Sequence, residues 1–106
     1  MKTMTYPEWP NKIGKRGKST NPDGSVNYYT IVDEIRREAS IGPGDKVLYL
    51  QKMQHDDGNV ELRFGYYIIG KKPRMAGKWT WGQFAPHIPL EDFRAIVVEA
   101  TKRGWT

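Results

Sequence analysis

Hydrophobic and polar positions change their pattern near residue 25. The first 24 residues set Pro7, Pro10, Gly14, Gly17, Pro22 and Gly24 among lysine, asparagine, serine and threonine, without a sustained apolar period. Residues 1–24 therefore read as a flexible basic arm, with Trp9 and Ile13 as the positions able to pin it down. Beyond it, Val26, Tyr28, Tyr29, Thr30, Ile31 and Val32 are aromatic or β-branched and predict a strand. Asp33 to Ser40 predicts a short helix, because acids open it and Ile35 and Ala39 recur at i, i+4. Gly42-Pro43-Gly44 ends that segment.

Lys46 to Gln54 and Asn59 to Gly70 alternate as strands around Asp57-Gly58, the dipeptide of a two-residue type I′ hairpin turn. That turn sets Met53 opposite Leu62, Gln51 opposite Phe64, Tyr49 opposite Tyr66 and Val47 opposite Ile68, a nearly apolar face suited to a core. The other face then pairs Lys52 with Arg63 and Leu48 with Tyr67. Residues 71–77 form a basic loop interrupted by Pro73 and Gly77, and a short strand follows with Trp79 and Trp81 on one side. The last helix is signalled by Pro89, by Glu91 and Asp92 in its first turn, and by an apolar stripe of Leu90, Phe93, Ile96, Val97 and Ala100. Lys102 and Arg103 lie in its last turn, and Gly104 stops it. The pattern predicts a single α+β domain over residues 25–106. It comprises an antiparallel β-sheet with a central hairpin, a short N-terminal helix and a C-terminal helix packed on the sheet.

Composition adds boundaries. The 106 residues contain no cysteine, so neither a disulfide framework nor a thiolate site holds the fold, and a reducing, cytoplasmic setting is expected. No segment approaches the roughly 18–20 apolar residues of a membrane span. The net charge of +5 is unevenly distributed: residues 9–22 carry four cations and no acid, residues 62–90 carry five and no acid, and residues 23–61 hold a net −4. Segregated positive charge is the footprint of a protein that meets phosphates, although an excess of this size is also ordinary solubilising charge.

Catalytic motifs are few. His55-Asp56-Asp57 stands at a hairpin tip, where such residues are usually turn formers, and His87 has no carboxylate at a telling spacing. Walker, Rossmann and nucleophile-elbow motifs are all missing, so no catalytic residue, metal or cofactor is expected. The segment 62–90 carries more, since six of the thirteen aromatic residues lie there among its five cations. Single-stranded nucleic acid is bound by this mixture, cations following the phosphates and rings stacking on bases. The expected phosphate contacts are Lys71, Lys72, Arg74 and Lys78, with Lys15, Arg16 and Lys18 wrapping the partner from the arm. Tyr67, placed on one face with Lys52 and Arg63, is the expected stacking residue. Trp79 and Trp81 are read as candidate stacking residues, although tryptophans in a small domain more often serve as buried packing. The leading expectation is a small nucleic-acid-binding protein, a transcriptional regulator among the possibilities. The alternative is a protein-interaction module or small inhibitor with an exposed aromatic and arginine patch.

The run Ile31 to Val47 resembles the motif of AbrB/MazE-type swapped-hairpin DNA-binding proteins, with Glu34, Ile35, Arg36, Ile41, Gly44, Asp45 and Val47 matching. Val32, Ala39 and Ser40 stand where that family has proline, leucine and glycine. This resemblance implies a homodimer on duplex DNA, with Arg36 and Arg37 near the interface. In order of elements, Arg63, Tyr66, Tyr67 and Trp79 followed by a helix from Leu90 are similar to the single-stranded-DNA-binding coactivator family.

Overall fold

In the computed structural model, which describes residues 6–71, 74–82 and 85–106, the strands cross one antiparallel sheet in chain order. They are β1 (Arg16–Thr20), β2 (Val26–Glu38), β3 (Lys46–His55), β4 (Val60–Ile69) and β5 (Trp79–Trp81). Helix α1 (Leu90–Lys102) follows. The α+β class, the antiparallel sheet with its central hairpin and the C-terminal helix all agree with the hydrophobic pattern. The short N-terminal helix does not form. Residues 33–38 instead continue β2, which runs for 13 residues with an irregularity between Ile31 and Asp33. Ile35 and Ala39 are an even number of residues apart, so their spacing suits a strand as well as a helix, and pairing with β3 decides between them.

Strand β1 lies inside the segment that the sequence leaves without structure. It pairs with β2 from Arg16 opposite Thr30 to Thr20 opposite Val26. The β1–β2 and β3–β4 hairpins close alike. The Asn21 N–H donates to the Ser25 carbonyl over 2.8 Å and the Gly24 N–H to the Asn21 carbonyl over 2.9 Å, and His55, Asn59 and Gly58 repeat this pattern at 2.8 and 2.9 Å. Each loop thus has three residues, with glycine at positive φ (89° at Gly24, 95° at Gly58) in the position of a G1 bulge. A two-residue type I′ turn would require Asp57 itself at positive φ, and no described non-glycine residue adopts that conformation.

That extra loop residue shifts the β3–β4 register by one from the expected pairing. Gln51 faces Arg63, Leu50 faces Phe64, Tyr49 faces Gly65, Leu48 faces Tyr66 and Lys52 faces Leu62. Since side chains alternate, a slip of one moves all of β4 to the other face relative to β3. Tyr67 and Arg63 therefore share a face with Tyr49 and Gln51, whereas Lys52 lies on the opposite one. Both faces of β3 are covered: Val47, Leu48 and Tyr49 have no exposure, and Leu50 has 4%.

The helix covers one face. Ile96 and Ala100 pack with Ile35, Leu48, Leu50 and Tyr66, and Phe64, Ile88 and Trp105 close the edges. A polar anchor supplements this packing. The buried Asp92 carboxylate accepts a 2.7 Å hydrogen bond from Arg37 Nε and a 2.9 Å bond from the Ser40 N–H, tying the first turn of α1 to the end of β2. The helix ends as the sequence predicts: Gly104, at φ 78°, donates to the Thr101 carbonyl and Trp105 to the Ala100 carbonyl. This Schellman pairing turns the Trp105 ring back onto the core. No helix among the described residues is long and apolar enough to cross a membrane.

Candidate nucleic-acid interface

The face opposite α1 is aromatic, and its geometry follows from the strand alternation. Val47, Tyr49 and Tyr67 form its buried centre, with Trp79 and Trp81 packed on them from β5. Tyr67 meets Tyr49 and Trp81 edge-on, each with ring centroids 4.9 Å apart. Trp81 lies across Gly65: a Cβ at that glycine would stand 2.1 Å from the indole, so only glycine leaves room for the ring. Tyr29 lies over Gly17 in the same manner.

Arg63 links the two ends of this aromatic surface. Its guanidinium lies 5.2 Å from the Trp81 ring centre and 5.6 Å from that of Tyr29, within cation–π range of both. Hydrogen bonds fix it there. Nε and Nη2 donate to Gln51 Oε1 over 3.1 and 2.7 Å, and Nη1 donates to the Tyr29 hydroxyl over 3.1 Å. Gln51 in turn donates from Nε2 to Glu34 Oε1 over 3.1 Å, which sets its amide orientation. Burial, with Glu34 nearby, pushes the Tyr49 and Tyr67 hydroxyls well above and above the ordinary phenol value, respectively, so both remain neutral donors.

The N-terminal segment crosses this face. Trp79 Nε1 donates to the Pro7 carbonyl over 2.8 Å and the Tyr49 hydroxyl to the Pro10 carbonyl over 2.5 Å. The Lys12 N–H donates to Glu34 Oε2 over 2.8 Å, and Tyr6 meets the edge of Trp79 with centroids 5.9 Å apart. Lys12 Nζ stands 6.0 Å from the Tyr67 ring centre.

The sequence-selected residues thus fall into separate groups. Arg63, Tyr67, Trp79 and Trp81 come together on the aromatic face. Tyr67 is 7% exposed, a packing position with no open ring face, while Trp79 and Trp81 are half-buried. Lys52 stands on the helix side, its Nζ 5.9 Å from the Trp105 ring centre. Lys15 and Lys18 are exposed, and Arg16 binds Asp56 through both carboxylate oxygens at 3.1 and 2.8 Å. Lys71, Arg74 and Lys78 are exposed around the β4–β5 loop, with Lys71 Nζ 3.6 Å from Asp45. Lys72 lies outside the described residues. The exposed Lys15 and Lys18 and the exposed cations of the β4–β5 loop lie toward opposite ends of the sheet, the length of β4 apart, roughly 30 Å at about 3.3 Å per strand residue. Lys12 and Arg63 of the same two basic segments both lie on the aromatic face between them.

Sequence reasoning missed Tyr29, Tyr49, Gln51 and Glu34. Their alternation was visible, but placing them beside Arg63 and Trp81 requires the three-residue hairpin loop. His55 binds Glu61 at 2.6 Å and lines a hollow of about 340 Å³ with Asp57, while His87 lines a different hollow with Lys46 and Ile88. No group of three potential metal ligands occurs among the described residues. The Arg36 and Arg37 side chains engage Glu34 at 3.9 Å and Asp92 at 2.7 Å, respectively. No family model, curated protein or solved structure matches the chain.

Proposed function

We propose that this protein binds single-stranded nucleic acid. Bases meet the margin of the aromatic face at Arg63, Trp81 and Trp79, and phosphates follow the exposed cations of the β4–β5 loop. The observation that carries this reading is the hydrogen-bonded Arg63 guanidinium held between two rings, a rigid pairing of charge and π-surface suited to unstacked bases. A meander followed by a C-terminal helix is also the element order implied by the likeness to the single-stranded-DNA-binding coactivator family. Fluorescence anisotropy with a labelled single strand and its duplex at low salt tests the reading. The single strand should bind more tightly and lose affinity steeply as salt rises. Failure of both to bind would sink it.

A second reading rests on the other face. Leu62, Leu90 and Phe93 are 42%, 63% and 43% exposed, and Phe93 meets Phe64 at 6.0 Å between ring centroids. Exposed apolar side chains grouped in this way suit a protein partner, a second copy included. Light scattering and the 260/280 nm absorbance ratio on purification separate a protein-bound from a nucleic-acid-bound form.

A further inference from the structure

The segment on the aromatic face offers that face the chemistry a bound strand would offer. Its Pro7 and Pro10 carbonyls are acceptors for Trp79 Nε1 and the Tyr49 hydroxyl, and Tyr6 sets a ring against Trp79. A nucleotide also brings oxygen acceptors and a ring. The segment lies on the outside of this face: none of residues 6–13 is buried, whereas the Tyr49 and Glu34 beneath it are among the most buried in the chain.

We propose that residues 6–10 are a built-in occupant of the nucleotide subsite formed by Trp79 Nε1, the Tyr49 hydroxyl and the Trp79 ring, displaced when a single strand binds. This rests on the nucleic-acid reading above. The hinge falls at Asn11. Beyond it, the Asn11 side chain accepts from the Ile13 N–H over 3.0 Å, the Gly14 N–H donates to the Ile31 carbonyl over 2.6 Å, and Lys12 is held on Glu34. Keeping Lys12 in place leaves its N–H on the buried Glu34 carboxylate, whose charge is also faced by Arg36 Nε at 3.9 Å, so displacing residues 6–10 leaves that anion's partners intact. The vacated donors then take phosphate or base-carbonyl oxygens in place of the proline carbonyls.

The test uses the full chain, labelled with ¹⁵N and titrated with oligo(dT), alongside the Pro7→Gly, Pro10→Gly double variant, which loosens the segment while keeping both carbonyls. The Trp79 indole N–H resonance should shift, and the Lys12 and Gly14 amides should stay protected from exchange. The variant should bind oligo(dT) roughly threefold or more tightly, because less of the protein is self-occupied. Binding that leaves the Trp79 indole resonance and the variant's affinity unchanged overturns the displacement while the nucleic-acid reading stands. Absence of binding by both proteins removes that reading and the displacement with it.

Discussion

The Arg63 guanidinium faces the Trp81 ring at 5.2 Å and is locked there by two hydrogen bonds to Gln51 Oε1. A lysine keeps the charge but not the planar fork that engages Gln51 and Tyr29 together. Arg63→Lys should therefore weaken single-strand binding by about 1–2 kcal/mol, within the range of one stacking or cation–π contact. Anisotropy titration reads the loss, and an unchanged affinity would remove Arg63 from the interface.

Gly65 and Trp81 make a second, steric prediction. A methyl group on Gly65 would meet the indole at 2.1 Å, and the ring must leave its seat against Tyr49 and Tyr67. Overpacking of this kind costs about 1–3 kcal/mol. Gly65→Ala should lower the urea midpoint and alter the near-ultraviolet circular dichroism of the tryptophans. Retention of both would show that Trp81 is not seated on Gly65.

Under the proposed function, phosphates follow the β4–β5 loop, whose exposed Lys71, Arg74 and Lys78 stand outside the core. Replacing Lys71, Arg74 and Lys78 with glutamine should leave the thermal midpoint within a few degrees and reduce the slope of log affinity against log salt. On a single strand the slope should fall by about 0.7 for each phosphate that the loop no longer neutralises. A slope equal to that of the parent chain would exclude the loop from the binding path.

Asp92 makes stability depend on pH. Burial works against its charged form, but the Ser40 N–H and Arg37 outweigh burial and hold its pKa below the ordinary carboxylate value of 3.8. A carboxyl lowered by folding contributes stability above its unfolded pKa, and that contribution is lost as pH falls through the folded value. Urea midpoints should therefore decline below about pH 5. In Asp92→Asn that decline should be shallower, with a loss at neutral pH of about 1–2 kcal/mol, since the Arg37 partner is partly solvent-screened. Parallel pH profiles for the two proteins would show that the anchor contributes nothing.

The boundaries of α1 were legible because Pro89 and Gly104 act locally, although the first-turn acid Asp92 reaches Arg37 and Ser40 across the chain rather than capping its own helix. Strands β3 and β4 were legible from alternation alone. Their mutual register was not, because Asp57-Gly58 is compatible with a two-residue and a three-residue loop, and only the whole sheet selects between them. That choice placed Tyr67 and Arg63 with Tyr49 and sent Lys52 to the helix side. The helix predicted over Asp33–Ser40 is an error with a similar cause: the segment's spacing suits both periods, and residues 33–38 take the one their neighbours can pair with.

Charge shows the same division. By itself the sequence determined that there are two acid-free basic segments and that one is rich in aromatic residues, since composition is a property of the chain alone. Only the tertiary structure decided that Lys15 and Lys18 stand at the opposite end of the sheet from the β4–β5 loop and that the Pro7–Pro10 stretch of the arm lies on the protein's own aromatic face. Those arrangements depend on strand order, on a single loop residue, and on carbonyl acceptors at Pro7 and Pro10 that meet Trp79 and Tyr49 across 72 and 39 positions of the chain.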